Sequence, residues 1–72
     1  MTNTELLEEK IRESGLKKSF IAEKIGVSRA TLCALLSAKS EFKASQIRTL
    51  CELLDIEDDA TMKAIFFAPM VH

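Results

Sequence analysis

Residues 16–36 read LKKSFIAEKIGVSRATLCALL, and three short signals inside that stretch decide the fold. Ile21 and Ile25 stand one helical turn apart and give the first segment a single apolar edge, with the small Ala22 beside them. Gly26 follows where the residue ending a helix needs φ > 0. Ser28 offers an N-cap hydroxyl for a second helix. Val27 before it and Leu32 four positions after it have the spacing of a hydrophobic staple. The second helix then points Leu32, Leu35 and Leu36 inward and Arg29, Ala30, Cys33, Ala34 and Ser37 outward. A helix-turn-helix over about residues 17–37 is the expectation, the device that lays one helix into the major groove of DNA. Glycine-turned helix pairs also occur in bundles that never touch nucleic acid, so charge has to separate the two cases.

The formal net charge is −1, which by itself argues against a polyanionic partner. Its distribution argues the other way. Between Leu16 and Arg48 lie seven basic residues (Lys17, Lys18, Lys24, Arg29, Lys39, Lys43, Arg48) against two acidic ones (Glu23, Glu41), a local +5. The residues before Leu16 carry −2 and those after Arg48 carry −4. A basic segment coinciding with the helix-turn-helix is an electrostatic footprint for phosphate. The plainer alternative is a solvated helix surface.

At 72 residues, 47% of them hydrophobic and 29% charged, the chain is one globular domain with a small core. One Pro and two Gly leave few turn residues and favour helices. An all-α domain of five helices over residues 1–72 follows. Helix 1 is expected from about Thr4 to Ser14, with Thr2 and Glu5 at capping-box spacing and Gly15 ending it, Leu16 meeting Ile11 beyond. Helix 2 covers about Lys18 to Ile25 and helix 3 about Arg29 to Ser37. A polar loop with one buried anchor, Phe42, leads to helix 4, about Ala44 to Leu54, whose stripe is Ile47, Leu50, Cys51 and Leu54. Glu57, Asp58 and Asp59 mark the start of helix 5, which holds Met62, Ile65 and Phe66 and stops at Pro69.

No apolar run is long enough for a membrane span, and the N-terminus lacks the order of a signal peptide. Cys33 and Cys51 are expected as reduced thiols in a cytoplasm, Cys51 as a buried core thiol. With the terminal His72 they make no zinc site, and no metal, cofactor or small-molecule ligand is expected. Neither a nucleophile–base pair nor a phosphate-binding glycine loop is present, which excludes the common enzyme classes.

Several stretches resemble a known family. Gly15-Leu16, Ile21-Ala22, Ile25-Gly26-Val27-Ser28, Thr31-Leu32 and the Ile47…Leu50-Cys51…Leu54 helix look like the Cro and phage-repressor helix-turn-helix family, the lambda-repressor-like fold. The segments FIAEKIGVSRATL, KSEFKASQI, LCELLDI, the later IFFA and Val71 are similar to small phage and prophage regulators of Gram-positive bacteria. The resemblance covers nearly the whole chain. It implies a repressor-like transcriptional regulator, in a bacterial cell or a phage-infected host, binding operator DNA as a homodimer. Three positions depart from the family pattern. Lys18 stands for the usual phosphate-touching Gln. Ala38 stands for the Gly after helix 3, which predicts a tighter or more helical turn. Lys43 stands for the Thr or Ser that caps helix 4, losing the cap and adding a cation.

Arg29 is the candidate base reader, because its fork suits guanine O6 and N7; a phosphate contact is the alternative. Ala30 and Ala34 offer methyl groups or simply room. Cys33 on the same face is a base contact, an oxidisable group or a neutral filler. Lys17, Lys18, Ser28, Thr31, Ser37, Lys39, Ser40 and Lys43 are candidate phosphate contacts. Residues 65–72 form a possible dimerisation tail: with Ile65 and Phe66 closing the core, Phe67, Met70 and Val71 are surplus apolar surface. The competing reading is a protein-interaction module on the same fold.

Overall fold

The computed structural model describes residues 2–68. Those residues form five helices and no strand: α1 (Thr4–Ser14), α2 (Lys18–Ile25), α3 (Arg29–Leu36), α4 (Ala44–Leu53) and α5 (Asp59–Phe66). Helices α3 and α4 each stop one residue short of the sequence expectation, because Ser37 and Leu54 already leave helical geometry as caps.

The N-termini fall into two kinds. Asn3, Ser28 and Asp58 cap α1, α3 and α5, each accepting from the backbone N–H three residues on. Asn3 therefore replaces the expected Thr2–Glu5 box: its Oδ1 accepts from Leu6 N–H at 3.1 Å. Lys17 and Lys43 begin α2 and α4, and an ammonium has no lone pair with which to accept. At α4 only the reciprocal half of a capping box forms, Lys43 N–H donating to Gln46 Oε1 at 2.9 Å. At α5 the Thr61 hydroxyl and amide donate to the Asp58 carboxylate, at 2.6 and 2.8 Å, and hold its carboxyl below the ordinary aspartate range.

The C-termini of α1 to α4 share one solution, a residue in the left-handed region: Gly15 (φ 74°), Gly26 (φ 78°), Ala38 (φ 61°) and Asp55 (φ 57°). After α2 the bond pair is complete, Gly26 N–H to Glu23 C=O and Val27 N–H to Ala22 C=O. A Cβ on Gly26 would meet nothing within 4 Å, so conformation rather than space asks for glycine there. After α1, Ser14 intervenes: its hydroxyl donates to Ile11 C=O and accepts from Leu16 N–H. The turn after α3 is neither tighter nor more helical than a glycine turn. Ala38 N–H bonds Leu35 C=O and Lys39 N–H bonds Ala34 C=O, the same arrangement built on an alanine.

The core joins Leu7 and Ile11 of α1, Ile21 and Ala22 of α2, and Leu32, Leu35 and Leu36 of α3 to Phe42, Leu50, Ile65 and Phe66. Helix α2 packs against both α3 and α4, while α1 packs against α3 and α5. Phe42 anchors the α3–α4 loop edge-on to Phe66, ring centroids 5.6 Å apart. Asn3 N–H donates to Ile65 C=O at 2.6 Å and ties the first helix to the last. Cys51 lies at the edge of this core and is half-buried, lining an open groove with Met62 and Phe67. Among the described residues no helix is long and apolar enough to cross a membrane.

Ala38 provides a test of the shared helix stop. An L-residue held left-handed costs about 1–2 kcal/mol, part of which glycine returns through its freer unfolded chain. Ala38→Gly is expected to stabilise the domain by about 0.5–1 kcal/mol, read as a rise of several degrees in thermal midpoint.

Candidate nucleic-acid interface

Helix α3 begins cleanly because Ser28 caps it, and Val27 packs on the core beside the fully buried Leu32. That fixes the register of the opposite face. Arg29, Ala30 and Cys33 are exposed on it, whereas Ala34 is half-buried at its edge rather than fully outward. The face is thin: one guanidinium, two methyl groups and a thiol, with little bulk to stop a close approach.

The eight candidate phosphate residues do not stand alike. Lys17, Thr31, Ser37, Lys39, Ser40 and Lys43 are exposed. Lys18 is half-buried and pairs with Glu8 of α1 at 3.1 Å, so its charge is already answered inside the chain. Ser28 is exposed but occupied: its hydroxyl accepts from Thr31 N–H and donates its one proton to Thr31 Oγ1, both at 3.0 Å. The Ser28 hydroxyl thus serves as the cap of α3.

Of the seven basic residues between Leu16 and Arg48, only Lys18 has a carboxylate partner among the described residues. Lys17 and Lys43 stand at the two helix starts without a side-chain acceptor, where first-turn amide protons point outward and the helix dipole favours an anion. The charge pattern in the sequence thus appears in the structure as a set of uncompensated cations. Local spacing could not reveal the Lys18–Glu8 pair, which spans two helices. Nor does local spacing single out Phe20, which lies next to the buried Ile21, is 39% exposed, and has the ammonium of Lys24, one of the seven basic residues, 5.4 Å from its ring centroid.

A second surface lies between α4 and α5. Ala44, Ile47, Arg48, Cys51, Met62 and Phe67 line a shallow groove of about 240 Å³. Phe67 is 59% exposed, in keeping with its reading as surplus apolar surface, while Ile65 and Phe66 are core and leave the candidate tail. Met70 and Val71, like Pro69 and His72, lie outside the described residues. No group of three or more metal-ligating side chains converges among the described residues. Compared with protein-family models, curated proteins and solved structures, the chain has no match. What it does has to be read from its own surface.

The two thiols report on these surfaces. Cys33 is exposed, whereas burial pushes the Cys51 thiol up from its ordinary value and disfavours the reactive thiolate. An aromatic disulfide reagent at mildly alkaline pH is expected to label Cys33 well before Cys51, with Cys51 catching up as pH rises. Equal rates from the outset would contradict the placement of α5 over α4.

Proposed function

We propose that this chain binds double-stranded DNA in a sequence-specific way and acts as a repressor-like regulator by occupying an operator, in keeping with the Cro and phage-repressor family it resembles. One observation carries the reading: the thin outer face of α3, led by Arg29, is bracketed in the chain by two helix starts whose N-cap lysines, Lys17 and Lys43, have no carboxylate partner among the described residues. Arg29 reads a base edge, with Ala30, Cys33 and Ala34 permitting close approach. Lys17, Thr31, Ser37, Lys39, Ser40 and Lys43 grip phosphates and set the register. The protein works in a bacterial or phage-infected cytoplasm. It pairs as a homodimer through Phe67 and the α4–α5 groove, since a two-fold protein matches a palindromic site.

A second reading, a protein-interaction module on the same fold, is favoured by the same groove and by the short side chains of α3. Titration of duplex DNA at increasing salt separates the two. The regulator loses affinity with a log–log slope of about −0.9 per neutralised phosphate. Absence of binding to any duplex, including sites selected from random DNA, selects the interaction module.

Arg29→Ala is expected to cost about 1–3 kcal/mol on the best site and relax preference at one base position. Lys39→Ala is expected to weaken all sequences alike and flatten the salt slope by about one. Equal losses on specific and random DNA for Arg29→Ala would make Arg29 a phosphate contact.

Phe67→Ser is expected to weaken dimerisation in sedimentation at high micromolar concentration while helix content stays unchanged. Operator affinity should then fall more than non-specific affinity, because only the operator complex needs both half-sites.

A further inference from the structure

Phe20 is one of two large apolar side chains exposed among the described residues, and it stands inside the basic segment rather than beside the groove. Phe20 and Lys24 lie one turn apart on one side of α2, and Lys17, the N-cap residue three before Phe20, continues that line at the helix start over about 10 Å in all. Ile21 and Ala22 hold the opposite side of the helix in the core. Neither lysine has a carboxylate partner among the described residues; the exposed Glu23, three residues after Phe20, borders the ring on its other side.

We propose that this stripe of α2 is a second contact surface for the DNA backbone, with Lys17 and Lys24 on phosphates and the Phe20 ring against the deoxyribose between them. The inference rests on the DNA-binding reading above and extends it to two residues outside the α3 face. Charge selects the occupant: the two unpaired cations outweigh the one neighbouring carboxylate, Glu23, and with the apolar ring between them they match the phosphate–sugar–phosphate order of a nucleic-acid strand. The first helix of a helix-turn-helix crosses that backbone in the general docking geometry. The ring has a further use. It holds the Lys24 ammonium 5.4 Å from its centroid, so the charge is placed before binding and less side-chain freedom is lost when phosphate arrives. A protein partner with acidic and apolar groups is the competing occupant.

The experiment compares Phe20→Ala, Lys24→Ala and the unaltered chain on a random duplex and on the best selected site, over a range of salt. Covering the exposed part of one ring is worth at most about tenfold in affinity. Phe20→Ala is expected to weaken both duplexes by about fivefold at unchanged salt slope. Lys24→Ala is expected to weaken both and flatten the slope by about 0.9. Both variants should keep the helix content of the unaltered chain, since neither residue belongs to the buried core, and affinities are compared below the thermal midpoint of each. Unchanged DNA affinity in both variants, with Lys39→Ala still weakened, would overturn the proposal and turn the stripe toward a protein partner. An unaltered chain that binds no duplex would overturn the DNA-binding reading and this one together.

Discussion

Everything in this domain hangs on the seating of α2. An isolated helix of eight residues is not stable in water, so its existence is a tertiary effect. Ile21 at 0% exposure and Ala22 at 3% supply the seat, with α3 on one side and α4 on the other. The smallness of Ala22 lets the helix sit low against its neighbours. Truncating a side chain buried as Ile21 is costs about 2–5 kcal/mol, a large share of what a domain this size possesses. Once α2 is fixed, the complete bond pair around Gly26 aims the chain into the Ser28 cap, and α3 follows with Arg29 outward. A surface feature is thereby set by a core contact a few residues upstream.

Helix ends divide the labour between folding and surface chemistry. Side-chain acceptors sit at α1, α3 and α5; lysines sit at α2 and α4. A lysine at an N-cap forgoes roughly 1 kcal/mol that Ser, Asn or Asp would supply. That local sacrifice makes sense if an external anion completes the helix start.

Legibility in the sequence followed the range of the interactions involved. The α1 and α2 boundaries, the Ser28 cap and the inward leucines of α3 follow from spacing within a turn or two, whereas Phe42 stands out only as a lone apolar residue in a polar loop, its partner Phe66 lying on the last helix. The Lys18–Glu8 pair was hidden because it depends on how two helices meet. The contact of the Ser28 hydroxyl with Thr31 Oγ1 joins two side chains whose mutual orientation depends on the helix start that Ser28 itself caps. Ala38 and Asp55 take left-handed geometry without being glycine, because the peptide bonds they close outweigh the steric cost, and composition does not record that balance. Cys51 was read as core because its stripe position on α4 is apolar; how much of α4 the last helix covers is decided some ten residues later.

The bond from Asn3 N–H to Ile65 C=O has a topological consequence. It places the beginning and the end of the described chain at one corner of the molecule, like the two leads of a closed loop. A linker of a few residues could join them, and the chain could be reopened in a surface turn without altering the order in which the helices touch. Two copies could equally be strung in tandem through that corner. In both cases the core residues of α2 and α3 would keep the neighbours they have now.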